Sequence, residues 1–258
     1  MASLRYARQE LLPEFAGTEN LLSAARVGIA GCGGLGGLCA YLLAAAGVGE
    51  LRLADGDVVS LSNLHRQVMY DLSALGRNKA VCLKERIAAL NPELKISVTE
   101  DMLAEQNFVQ FAAGLDLLVV LTDNQLSRCV LSTLALKQRL NVIECSVAGF
   151  EGLLGAFCYA DPDFVKKFGC YGCLAGSAAE LDAQAKNEPA RALGITGPAA
   201  AQMAAAAAGL ALSVLTGRMD KSFYGTLRHF DLKSQRVQSF KLHPRENCPE
   251  CAAARAGS

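Results

Sequence analysis

Six residues, Gly31-Cys32-Gly33-Gly34-Leu35-Gly36, constrain this chain more than any other segment. They read G-x-G-x-x-G. An apolar strand-like run, Val27-Gly28-Ile29-Ala30, leads in, and a small-residue helical stretch, Leu38 to Ala46, leads out. Such a β-turn-α unit presents bare backbone and unpaired helix N–H groups to a phosphate. The expectation is a parallel α/β sheet with a nucleotide at Gly31, Gly33, Gly34 and Gly36. The turn by itself does not say which nucleotide.

Alternation continues over roughly the first 150 residues. Ala25 to Ala30, Leu51 to Ala54, Ile96 to Glu100, Leu115 to Leu121 and Val142 to Cys145 read as strands. Leu75 to Asn91, Gln106 to Ala113 and Ser127 to Leu140 read as helices, the first stopped by Asn91-Pro92. Leu4 to Phe15 also reads as a short helix. After residue 150 the rhythm changes, and Gly152 to Ala160 and Thr226 to Leu242 suggest antiparallel strands. The fold class expected is therefore α/β, a Rossmann-like doubly wound, mostly parallel sheet with an antiparallel extension. One domain over 1–258 is expected, with a nucleotide-binding half at 1–150. Leu193 to Gly217 carries no charge, but it is mostly alanine and glycine with Pro198 and Gln202 inside. A buried helix fits it better than a membrane span.

Basic and acidic residues balance, 25 against 25, which argues against a general nucleic-acid binder. Ten cysteines raise the choice between disulfides and metal. Met1 to Glu10 is polar and shows no secretory signal, so a cytoplasmic location is expected and metal is favoured. Cys170-Tyr-Gly-Cys173 and Cys248-Pro-Glu-Cys251 each offer a metal bite. Two such pairs complete a tetrahedral thiolate site with no open position, a structural zinc clamp. Cys32, Cys39, Cys82, Cys129, Cys145 and Cys158 read as small buried hydrophobes.

Asp55 ends the second strand, where an acid commonly bonds a ribose hydroxyl pair. Asp57 is the weaker neighbour, either near magnesium or solvated. Ser62-Asn63-Leu64-His65-Arg66-Gln67 offers two amides and a guanidinium whose fork suits phosphate oxygens. His65 is given no role. Lys79, at a helix start after Gly76-Arg77-Asn78, can join Arg66 in neutralising an α-phosphate under attack. Asp123 ends the aliphatic fourth strand, placed either for magnesium and a reacting group or as an N-cap.

These pieces in this order resemble the ThiF/MoeB/HesA adenylyltransferases, bacterial relatives of the ubiquitin-activating enzymes. The resemblance runs from Arg5-Tyr-x-Arg8-Gln9 through the glycine turn, Asp55-x-Asp57, Ser62-Asn63-Leu64-x-Arg66-Gln67, Lys79 and Thr122-Asp123-Asn124 to both cysteine pairs. It implies a homodimer that uses ATP, Mg2+ and Zn2+. Its substrate would be a small ubiquitin-like sulfur-carrier protein ending in Gly-Gly, whose terminal carboxylate becomes an acyl-adenylate. A sulfur-donor protein would later form a thiocarboxylate, in thiamine or molybdopterin biosynthesis. The half at 151–258 would then bind the carrier and the zinc. Asp55 would hold ribose, and Asn63, Arg66 and Lys79 phosphates. Asp123 would serve magnesium and the carboxylate, and Arg8 would reach the partner subunit's ATP. Relatives carry a cysteine before the segment that here reads Leu193-Gly194-Ile195-Thr196-Gly197-Pro198. This chain has Glu188-Pro189-Ala190-Arg191-Ala192 there, so adenylation without a covalent thioester is expected. The competing expectations are an ATP-dependent tRNA-modifying dehydratase of the same superfamily, an NAD or FAD oxidoreductase, and a zinc-stapled scaffold.

Overall fold

The computed structural model describes residues 4–187 and 194–256. β1 (Arg26–Ala30), β2 (Glu50–Ala54), β3 (Lys95–Thr99), β4 (Leu117–Val120) and β5 (Val142–Ala148) run parallel. β6 (Glu151–Phe157), β7 (Thr226–Asp231) and β8 (Arg236–Lys241) extend them antiparallel. The strands make one sheet in the order β3-β2-β1-β4-β5-β6-β7-β8. Chain order reverses between β1 and β4, which opens a crevice at their carboxyl ends.

Helices cover both faces. Along the chain they are α1 (Glu19–Ala24), α2 (Gly36–Ala45), α3 (Lys79–Leu90), α4 (Glu105–Ala112), α5 (Gln125–Lys137), α6 (Phe164–Phe168), α7 (Tyr171–Ala175), α8 (Ala178–Asn187), α9 (Gly197–Leu215) and α10 (Ala252–Ala256). β4 shows why its sequence is purely aliphatic. Leu117 and Val119 enter the core under α2, α3 and α9, while Leu118 and Val120 enter the one under α4 and α5. Side chains alternate across a strand, so both sets must be apolar when both faces are covered.

α9 lies against α2 and β5. Ala200, Met203, Ala204, Ala207, Ala208 and Ala211 recur at helical spacing and are buried. Small side chains let it sit close, and a Cβ on Gly152 of β6 would fall 2.4 Å from Met203 Sδ. α9 is long and apolar enough to cross a membrane by length and composition, but its inner face belongs to the core.

Three expectations need correction. Leu4 to Phe15 forms successive turns and no α-helix, with bonds such as Glu10 N–H to Tyr6 O at 3.0 Å and Leu12 N–H to Gln9 O at 3.1 Å. Its polar side chains are spent on other helices' free carbonyls: Gln9 Nε2 donates to Ala46 O, and Arg5 Nη1 to Leu90 O. α3 begins at Lys79 and not near Leu75, because Asn78 caps it by accepting the Val81 N–H at 3.1 Å. α9 begins at Gly197, where Thr196 is the cap and Pro198 occupies the first turn. Glu188 to Leu193 lies outside the described residues.

The glycine turn is the tightest point of the sheet. A Cβ on Gly36 would stand 1.7 Å from Gly31 O, whereas one on Gly33 would meet nothing closer than Gln67 Nε2 at 3.5 Å. Gly36→Ala is therefore expected to cost about 3 kcal/mol or more in urea unfolding. Gly33→Ala should unfold like the parent yet bind nucleotide more weakly, since its methyl would project into the crevice.

Candidate active site and metal centre

Gly31 (φ +90°) leaves β1 and passes so close to β4 that a Cβ there would sit 3.0 Å from Leu121 O. Only glycine accepts both conditions without strain. The next residue, Cys32, donates its N–H to Asp55 Oδ2 at 2.7 Å, and Asp57 N–H reaches Asp55 Oδ1 at 2.8 Å. Asp55 is 5% exposed. Burial raises its pKa, and the two N–H bonds, Asp57's ahead of Cys32's, pull it back down. Tyr70 Oη donates to Cys32 O at 2.5 Å and lies 3.2 Å from Lys79 O. The turn is thus pinned from two sides.

Around it is a cavity of about 780 Å3, the size of a small-molecule site. Gly31, Gly33 and Gly34 line it, together with Asp55, Asp57, Asn63, Arg66, Gln67, Lys79 and Asp123. Gly36 does not line it; its task is the helix–strand contact described above. Lys79 is buried in the first turn of α3, and its Nζ meets Asp57 Oδ2 at 2.8 Å. Asp57 is therefore an ion-pair partner, which neither sequence alternative anticipated. Gln67 is buried, donates to Asn63 Oδ1 at 2.6 Å, and has no hydrogen-bond partner for Oε1 among the described residues. Asn63 Nδ2 bonds Ser60 Oγ. Arg66 Nη1 donates to Ser62 O at 3.0 Å and lies 2.8 Å from His65 Nε2, so His65 steadies the guanidinium. Asn124, and not Asp123, caps α5, accepting Ser127 N–H at 2.8 Å. That leaves the exposed Asp123 carboxylate on the cavity wall without a capping duty.

Arg8 is exposed and does not line the cavity. The turns that carry it sit at the far end of α2, where Tyr6 packs on Gly47 and Gln9 bonds Ala46. Ten residues of helix span about 15 Å, which separates this end from the glycine turn.

Several wall residues had no usable signal in the sequence. Arg128, Ser146, Glu151, Ile195 and His229 all line the cavity. His229 Nε2 lies 2.5 Å from Glu151 Oε2 across neighbouring antiparallel strands. Ile195 is brought in by a bridge to Gly149. None of these contacts is local in the chain, so no motif marks them. Arg128 left one hint, a guanidinium one turn after Thr122-Asp123-Asn124.

The two cysteine pairs converge. The four Sγ atoms of Cys170, Cys173, Cys248 and Cys251 lie within 4.8 Å of one another. Cys170 to Cys248 is 3.7 Å, Cys173 to Cys251 is 3.6 Å and Cys170 to Cys173 is 4.0 Å. Four thiolates around zinc at about 2.3 Å imply edges near 3.8 Å, so the set fits a tetrahedral ion. Hydrogen bonds from Cys170 and then Cys251 hold Cys173 well below the usual thiol range, on the thiolate side that a metal ligand needs. Cys32, Cys39, Cys82, Cys129 and Cys145 are buried and Cys158 is half-buried, as expected of packing residues.

This is a Rossmann-type α/β fold with a polar cavity at its switch point and a four-cysteine centre behind it. The ThiF family model matches residues 6–250, and the chain belongs to the ThiF family. It is 33% identical over 255 residues to the Sulfur carrier protein ThiS adenylyltransferase of Escherichia coli K12, covering 98% of this chain and 96% of that one. It is 31% identical to the Adenylyltransferase and sulfurtransferase MOCS3 of Xenopus laevis, over 97% of this chain and 53% of that protein. The fold is similar to that of E. coli MccB bound to MccA-N7isoASN, with a TM-score of 0.82, 20% identity, and coverage of 97% and 75%.

Elemental analysis is the direct check on the cysteine centre. It is expected to find one zinc per chain in the parent and near zero in Cys251→Ser. Limited proteolysis should then cut first between Phe164 and Asn187, ahead of the parallel strands.

Proposed function

We propose that this protein is an ATP-dependent adenylyltransferase. Its substrate is the C-terminal glycine carboxylate of a small ubiquitin-like sulfur-carrier protein, activated for later thiocarboxylate formation in thiamine or molybdopterin biosynthesis. The observation that carries the reading is the convergence of Arg66, Lys79 and Asp123 on one cavity with the glycine turn and Asp55. Full-length likeness to a ThiS adenylyltransferase supports the carrier as acceptor.

ATP would lie with its ribose at Asp55, whose carboxylate oxygens each keep a lone pair beyond the backbone bonds. Its triphosphate would lie over Gly33 and Gly34 toward Asn63, Arg66, Gln67 and Lys79. The carrier's carboxylate oxygen forms a bond to the α-phosphorus while the bond from that phosphorus to the bridging oxygen breaks. Pyrophosphate leaves with the electron pair. The attacking group is already ionised, so no proton moves. Two anions must meet, and their repulsion at 4 Å is roughly 4 kcal/mol per charge pair at an effective dielectric near 20. Arg66 and Lys79 offset it, and Lys79 is buried, where its charge acts in lower dielectric. Magnesium, when bound, would shield the phosphate oxygens, and Asp123, exposed on the cavity wall and accepting the Asn124 side-chain amide at 3.4 Å, is the carboxylate that would hold it.

The family resemblance implies that Arg8 reaches a partner subunit's site in a homodimer, and its exposed place outside the cavity lining is compatible with that role. The dehydratase reading is disfavoured by the balanced charge. An oxidoreductase would leave the Arg66–Lys79–Asp123 convergence without a task.

ATP–pyrophosphate exchange with a panel of Gly-Gly-ending carriers tests the proposal. Exchange is expected with one carrier, the ThiS type first, and Arg66→Ala should lower its turnover about a hundredfold. Carrier-independent silence would sink the reading. Arg8→Ala and Lys79→Ala chains, each inactive alone, should recover about a quarter of parent activity when equilibrated together, since half of random dimers hold one intact site. No recovery would remove Arg8 from the partner's site.

A further inference from the structure

The cysteine centre and the cavity are joined through one side chain. Arg128, in α5, is 8% exposed. Its Nη1 donates to Thr122 O at 2.7 Å and its Nε to Tyr171 Oη at 3.0 Å. Thr122 immediately precedes Asp123, and its Oγ1 accepts from Ser127 Oγ at 2.7 Å. Tyr171 immediately follows Cys170 and opens α7.

Both ends of this path are held. Tyr171 N–H donates to Tyr159 Oη at 3.2 Å, and its ring packs edge-on against Phe157 with centroids 6.0 Å apart. Glu250, between Cys248 and Cys251, accepts from Thr133 Oγ1 of α5 at 3.1 Å and from Ala178 N–H at 2.8 Å. The clamp therefore grips the helix that starts just after Asp123. Glu144 is buried nearby, with neither carboxylate oxygen hydrogen-bonded among the described residues. Burial raises its pKa far above the usual range, and the Arg128 charge pulls against that. A buried guanidinium is costly unless its donors are used. Its rigid fork suits the holding of two acceptors in fixed relation, which a lysine cannot do.

We infer that Tyr171 and Arg128 are positioning residues, a relay by which the cysteine clamp sets the Thr122–Asp123 loop at the cavity. The relay rests on the reading of Asp123 as the magnesium carboxylate. It implies that metal at the clamp and magnesium response at the cavity are linked through a contact that touches neither ion.

The test is ATP binding by calorimetry across a magnesium series, with zinc content and thermal melting measured on the same samples. Tyr171→Phe removes one hydroxyl and leaves Arg128 in place. It is expected to keep its zinc and melting midpoint while needing about tenfold more magnesium for half-maximal ATP binding. Arg128→Lys should shift the curve in the same direction. A Tyr171→Phe protein that follows the parent magnesium curve overturns the relay. One that loses zinc or its melting transition makes the contact merely structural, which also overturns it. If the parent itself binds ATP without regard to magnesium, or fails to bind it, the Asp123 reading fails, a result separate from the first.

Discussion

One buried carboxylate holds the nucleotide end of the molecule together. Asp55 accepts the Cys32 N–H of the glycine turn and the Asp57 N–H of its own loop. It thereby ties the end of β1 to the end of β2, beside the β1–β4 crevice where the chain order reverses. The wall formed by the glycine turn and the loop after β2 is set from there. Tyr70 locks the other side of the same turn to the start of α3, and α3 delivers Lys79. A carboxylate so buried is costly unless satisfied, and two backbone donors meet that cost while leaving it able to accept more.

The second organising constraint is the junction between the parallel and antiparallel parts of the sheet. β5 pairs with β4 on one side and β6 on the other. Past that junction, β7 and β8 return from a remote part of the chain, and the cysteine clamp joins residues 170–173 to 248–251. Phe164, Val165, Tyr171 and Leu242 bury this part in the same core as α5, and the four sulfurs add a second tie between the remote segments. The clamp packs on α5, so it supports the helix behind the cavity and is not an isolated staple.

Much of the site was legible because its chemistry lies in short motifs. The glycine turn, Asp55, Asn63, Arg66, Gln67, Lys79 and Asp123 are local signals near strand ends, and the structure brings Gly31, Gly33 and Gly34 of the turn and all the others to the cavity. Pairings within that wall were not legible. Asp57 meets Lys79, and Asn124 takes the capping role that Asp123 was open to. Glu151 and His229 come together only through strand registration. The N-terminal segment misled because its polar–apolar pattern suits a helix. Its side chains instead satisfy carbonyls at the ends of α2 and α3, which no local pattern reveals.

The sequence by itself determined the order of strands and helices from β1 to β5, the aliphatic β4 buried on both faces, the turn that only glycine can make and the four sulfurs of the clamp. Each follows from periodicity, sterics or ligand spacing within a few residues. Tertiary structure alone decided which charges are paired, which side chain caps α5, where Arg8 stands and how Arg128 spans Thr122 and Tyr171. Those depend on distances between segments far apart in the chain. Hydrogen bonds and ion pairs act over a few ångströms, so only the packed sheet can select them.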